Sequence, residues 1–108
     1  MTIQARTQVE LLRDTLTQNF GAKHIILFGS QANGEAANDS DLDLCVITSL
    51  QNKRKIDLMR EIRRELGDRI SSPLDILIYS EKEFFERAQL GSTLEHKIMT
   101  EGVKVYES

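Results

Sequence analysis

Two aspartates one residue apart, Asp41 and Asp43, open an apolar run that extends to Thr48. Ten residues before them stands Gly29-Ser30, which closes an earlier apolar run, Ile25-Ile26-Leu27-Phe28. Both runs read as strands. Strand side chains alternate faces, so Asp41 and Asp43 point one way and Leu42 and Leu44 the other. Two carboxylates on one face beside a Gly-Ser turn suit a hard divalent cation next to bound phosphate. At an effective dielectric near 20, two such charges about 4 Å apart repel by roughly 4 kcal/mol. No lysine or arginine between Ser30 and Ile47 offsets that repulsion, so a purely structural role explains the pair poorly.

Several phosphate and metal motifs fail on named residues. Gly29 and Gly34 have P-loop spacing, but Glu35 and Ala36 occupy the places of the required Lys and Ser/Thr. No GxGxxG is present for a dinucleotide. Asp39, Asp41 and Asp43 imitate the start of an EF-hand, yet Leu44 replaces its glycine and Leu50 its bidentate glutamate. His24 and His96 have no metal-ligand spacing and read as surface or packing residues, and Tyr79 and Tyr106 read as packing.

The elements that must position the aspartates follow from periodicity. Val9, Leu12, Leu16 and Phe20 predict an amphipathic helix from Ile3 to about Asn19. Strands are expected over Lys23–Phe28 and Leu42–Thr48, with a helical turn over residues 30–34 and a polar loop over 35–40 between them. A helix from about Lys53 to Leu66 has the apolar face Ile56, Met59, Ile62 or Arg63, and Leu66, closed by Gly67. Pro73 introduces a third strand, Leu74–Tyr79, that carries Asp75. Two capping boxes, Ser80 with Glu83 and Ser92 with Glu95, open two further helices. Gly102 ends the second, and Val103–Tyr106 forms a short edge strand. The order predicts an α+β fold, α/β-like, with a small mixed sheet and helices mainly on one side.

Composition narrows the class. With 40% hydrophobic and 29% charged residues the chain is globular rather than disordered. Its 108 residues are expected to form one domain, 1–108, too short for a catalytic domain plus a substrate domain. A net charge of -3 argues against direct DNA binding. Lys53, Arg54, Lys55, Arg60, Arg63 and Arg64 do cluster, and read as a solvated helix face. The N-terminus lacks a signal-peptide core, no run approaches a membrane span, and lone Cys45 reads as a buried hydrophobe. A cytoplasmic protein is expected.

Gly29, Ser30, Ala32, Gly34, Ser40, Asp41, Asp43 and Leu44 match, at fixed spacing, the pattern Gly-Ser-x-Ala-x-Gly followed by Ser-Asp-x-Asp-Leu. With it the chain resembles the DNA polymerase β-type nucleotidyltransferase superfamily. Over nearly its whole length, to the ending EKEFFERAQLGSTLEHKIMTEGVKVYES, it is similar to the minimal nucleotidyltransferases (MNT) encoded beside HEPN-domain partners. In that family the small protein is an antitoxin and transfers AMP from ATP to a tyrosine of the HEPN ribonuclease toxin. The resemblance implies a polymerase β palm-like fold. It implies two Mg²⁺ ions at Asp41, Asp43 and a third carboxylate on a later strand, for which Asp75 is the matching position. It implies ATP as substrate, with Gly29 and Ser30 at its triphosphate, and a HEPN toxin as partner in a hetero-oligomer. Ser30 also suits a cap of the following turn. Gln31 and Asn33 stand where the family is often basic, which leaves fewer positive charges near a triphosphate. Two rival readings remain: a non-catalytic antitoxin that blocks its partner by contact, and a nucleotidyltransferase for a small molecule or an RNA end.

Overall fold

The computed structural model of the chain describes residues 3–29, 32, 41–71 and 73–107. The loop expected over residues 35–40, and the turn over 30–34 apart from Ala32, lie outside them. Helix α1, Ile3–Phe20, buries Ala5, Val9, Leu12 and Leu16, one stripe of an amphipathic helix. Strand β1 is His24–Phe28, β2 is Leu42–Ile47, and helix α2 is Lys55–Leu66, followed by a 3₁₀ turn, Gly67–Arg69. Strand β3 is Leu74–Tyr79, helix α3 Glu81–Ala88, helix α4 Leu94–Glu101, and strand β4 Val103–Glu107.

The four strands form one mixed sheet in the order β3-β2-β1-β4. Strand β1 is antiparallel to both β2 and β4, whereas β2 and β3 are parallel. A parallel pair needs a long crossover, and α2 with its 3₁₀ turn supplies it. On one face Ile25, Leu27, Leu42, Leu44, Val46, Ile76 and Ile78 pack with α1 and with Leu58, Ile62 and Leu66 of α2. On the other, Ile26, Cys45 and Ile47 pack with Phe84 and Ala88 of α3 and Ile98 of α4.

Three expectations are corrected. Helices cover both faces, two on each, because β2 after Asp43 is apolar on both sides and must be buried on both. The core stripe of α2 is Leu58, Ile62 and Leu66, while Ile56 is 53% exposed. Its basic neighbours are solvated and paired: Lys53 with Glu61 at 2.7 Å and Arg54 with Asp57 at 2.8 Å. The last helix is capped by Thr93 rather than Ser92; Thr93 Oγ1 accepts the His96 N–H at 3.1 Å. That shift of one residue turns Glu95 inward instead of back onto a cap. Ser80 does cap α3, accepting the Glu83 N–H at 3.2 Å.

Candidate active site

The end of β1 and the starts of β2 and β3 lie side by side. Register places Phe28 opposite Asp43, and Asp43 opposite Asp75. Asp43 alternates with Leu44 and so shares the face of Cys45 and of α3 and α4. The row Phe28–Asp43–Asp75 therefore crosses three strands at the rim of the second core. Below it the next row, Ile26–Cys45–Leu77, is packed in that core. Asp41 is exposed just before β2, Asp43 is half-buried, and Asp75 is exposed.

Gly29 completes the floor. Its φ is +77°, a conformation that L side chains rarely adopt. A Cβ there would also overlap the Asp43 carboxylate, with Cγ only 3.2 Å away. Backbone and carboxylate meet at a distance only glycine allows. The Ala32 N–H donates to the Gly29 carbonyl at 3.1 Å, so the chain turns immediately after β1. Ser30, the other sequence-predicted nucleotide contact, lies outside the described residues.

Every influence on Asp43 opposes its charge. Burial comes first, then the charges of Asp75 and Asp41, then a hydrogen bond with the Asp75 side chain; together they hold its carboxyl above the usual value of 3.8. No cation contributes. Among the described residues no three His, Cys, Asp or Glu side chains are arranged to hold a metal ion. Asp43 and Asp75 are thus a register pair with the Asp41 charge felt at Asp43, rather than a preformed cage. The pair still fits Mg²⁺, which takes one or two carboxylates and completes its octahedron with phosphate and water.

Sequence reading missed a cleft beside this row. About 110 Å³ in volume, it runs from Phe28 and Gly29 to Leu94, Lys97, Ile98 and Glu101 of α4. Only the helical spacing of 94, 97, 98 and 101 hints at it, and their meeting with β1 is a tertiary fact. A larger hollow of about 510 Å³, lined by Asn19, Gln51, Lys53 and Arg64, lies at the opposite end of the sheet, away from the carboxylates. Deeper on the α3–α4 face, Glu95 accepts from Arg87 Nε at 2.6 Å and from the Tyr79 hydroxyl at 3.1 Å. Burial raises the Tyr79 phenol to about 12, aided by its bond to Glu95. Tyr79 is held in place by this network and by an edge contact with Phe84. His24 packs edge-on to Phe85, and His96 Nδ1 lies 2.8 Å from the Ala88 carbonyl, so both histidines have local packing partners.

A small mixed sheet with two helices on each face, presenting carboxylates from adjacent strands beside a tight glycine, is the nucleotidyltransferase fold. The chain belongs to the Polymerase beta, Nucleotidyltransferase family, whose model matches residues 10–108. No curated protein matches it by sequence. Among solved structures, a Sulfolobus solfataricus protein described as a nucleotidyltransferase is similar over 96% of this chain and 83% of its own, with TM-score 0.66 and 18% identity. A chain of a toxin-antitoxin complex with AMP-PNP is similar over 99% of this chain and 75% of its own, with TM-score 0.59 and 20% identity. A chain of the toxin-antitoxin MntA-HepT is similar over 95% and 73%, with TM-score 0.59 and 17% identity. Identities this low establish a shared fold. Among the described residues no helix is long and apolar enough to cross a membrane.

Proposed function

We propose that this protein is a Mg²⁺-dependent nucleotidyltransferase that transfers AMP from ATP to a tyrosine of a partner HEPN ribonuclease toxin, and so acts as its antitoxin. The observation that carries the catalytic half is the in-register pair Asp43–Asp75 against Gly29, a charge arrangement that no cation among the described residues neutralises. The toxin-antitoxin half is supported by the shared fold with the MntA-HepT complex and with a toxin-antitoxin complex holding AMP-PNP.

In this reading Asp43 and Asp75, with Asp41 beside them, would hold the metal. When bound, Mg²⁺ supplies charge neutralisation for a transition state that spreads negative charge over phosphate oxygens. Gly29 lets the backbone approach the triphosphate closely, and Ser30 offers a hydroxyl to it. The acceptor tyrosine oxygen bonds to the α-phosphorus as the bond from that phosphorus to the bridging oxygen breaks. Pyrophosphate leaves, and Asp75 takes the hydroxyl proton.

Incubation with α-labelled ATP, Mg²⁺ and the partner tests this. Label on the partner that disappears with Asp41→Asn supports the transferase. Neutralisation of the partner by that variant without any label identifies a binding antitoxin instead. Label on a small molecule or an RNA end without a protein partner overturns the acceptor assignment.

A further inference from the structure

The cleft between Phe28–Gly29 and α4 has properties that the carboxylate row does not explain. Its walls are apolar, from Phe28, Ile98 and Leu94, and Leu94 is left 50% exposed at its mouth. Its rim carries one cation and one anion, Lys97 and Glu101, four residues apart on α4. That spacing permits an ion pair, although lysine before glutamate is the weaker order. Neither residue makes an ion pair or side-chain hydrogen bond with any described residue. Three nearby pairs of charges are engaged across elements or within this face, Lys23 with Glu81, Lys55 with Glu83 and Arg87 with Glu95, whereas Lys97 and Glu101 are left to the cleft. An apolar slot with two unengaged polar groups at its edge is the form of a site for a flat, polar-edged ligand.

We propose that this cleft is the nucleobase subsite, and that Lys97 and Glu101 select adenine. The proposal rests on the nucleotidyltransferase reading, since Gly29 belongs both to the cleft and to the triphosphate floor. The apolar walls take the ring faces. Lysine only donates hydrogen bonds, and an ionised glutamate only accepts them. Adenine's edge offers one of each, a ring nitrogen that accepts and a 6-amino group that donates. Guanine presents two acceptors on that edge, N7 and O6, and so turns an oxygen toward the Glu101 carboxylate. An oxygen set against a carboxylate discriminates more strongly than a change of apolar size.

Calorimetric titration with MgATP and MgGTP tests the assignment. Wild type should bind ATP at least about tenfold more tightly than GTP, the difference of one charged hydrogen bond. Glu101→Gln, whose amide both donates and accepts, should narrow that ratio to roughly threefold or less by admitting guanine. Lys97→Ala should weaken ATP by about tenfold. Both side chains are exposed, so unchanged melting curves exclude misfolding as the cause. If wild type binds ATP and neither substitution alters the ratio or the affinity, the subsite is wrong and the nucleotidyltransferase reading stands. Equal binding of ATP and GTP by wild type also overturns it. Failure of wild type to bind either nucleotide removes both readings together.

Discussion

Replacing Asp43 with asparagine removes one charge from the pair without changing its shape. Asp43 and Asp75 are in-register neighbours on parallel strands, and such strands lie about 4.8 Å apart. Two unit charges at that spacing repel by roughly 3.5 kcal/mol at an effective dielectric of 20, and by roughly 0.9 kcal/mol in bulk water. Asp75 is exposed and Asp43 half-buried, so water screens the pair and the lower bound is the better guide. Asp43→Asn should therefore stabilise the metal-free protein by about 1 kcal/mol at neutral pH, or roughly 4–8 °C in Tm for a chain of this size. The pH dependence has a definite sign. Because the folded protein raises the Asp43 pKa, its proton is held more tightly folded than unfolded. That contribution to stability is full below the unfolded value, near 3.8, and is lost as pH rises through the folded value. The variant's advantage should thus be greatest at neutral pH and vanish toward 3.8. Melting curves in EDTA across that range measure it, and added Mg²⁺ should raise the Tm of wild type more than that of Asp43→Asn. A variant no more stable than wild type at pH 7, or an advantage indifferent to pH, would refute the argument from charge.

Other substitutions separate backbone, ion-pair and core effects. Gly29→Ala meets both a positive φ and the Asp43 carboxylate, and should lose about 1–3 kcal/mol in denaturant titrations together with transferase activity. Arg87→Ala leaves buried Glu95, whose side chain is only 6% exposed, with Tyr79 as its remaining described side-chain donor; the expected loss is about 2 kcal/mol. Burial works against the Glu95 charge, but bonds from Arg87, its own backbone N–H and Tyr79 hold its carboxyl below the usual range. Wild type therefore loses this contribution as pH falls through the folded Glu95 value, and the Arg87→Ala melting curve should show a smaller acid-dependent loss. Cys45 is fully buried, and burial pushes its thiol up to about 12. Iodoacetamide at pH 8 should leave it unmodified in the native protein and label it fully in guanidinium, as mass spectrometry would read; rapid native labelling would contradict the packing.

What the sequence revealed and what it hid divide along a physical line. Strands β1, β2 and β3 were legible because their apolar runs are bounded by Gly29, Asp41 and Pro73, each a local signal. The twofold period of a strand predicts a face shared by Asp41 and Asp43, but Asp41 lies just before β2, outside the strand. The partnership of Asp43 with Asp75 did not follow from any local rule, since a shift of one residue in β3 would have sent Asp75 to the α1–α2 face. Leu58 replaced Ile56 in the core stripe of α2 because both sets fit a helical period, and only the position of α1 decides between them. The capping error had a similar origin. Ser92 and Thr93 are both good caps, and the choice of Thr93 is coupled to Glu95 reaching Arg87 and Tyr79. Lys97 and Glu101 gave only the faint signal of their helical spacing, because the cleft they border depends on where α4 ends relative to Phe28.

The placement of the carboxylates also explains how a fold of this size tolerates them. In each of β2 and β3 the aspartate is followed at alternate positions by aliphatic residues on the opposite face, Leu44 and Val46 in one and Ile76 and Ile78 in the other, all of them buried. Fully burying such side chains stabilises by about 1.5–3 kcal/mol each, so four of them outweigh a repulsion of roughly 1–3.5 kcal/mol between Asp43 and Asp75. The same alternation fixes the register, because sliding β3 by one residue would move Ile76 and Ile78 to the α3–α4 face, where β3 is only half-buried, and turn Asp75 into the α1–α2 core. The core on the α1–α2 face thus determines that two like charges meet on the other. Substitutions in that core are then expected to act on the site at a distance. Ile76→Thr, which weakens the apolar constraint on register, should reduce Mg²⁺-dependent stabilisation as well as overall stability, whereas Ile98→Val on the α4 side should lower stability alone. Thermal shifts with and without Mg²⁺ distinguish the two. Equal Mg²⁺ responses in both variants would mean that the pairing of Asp43 with Asp75 is held by something other than the α1–α2 core.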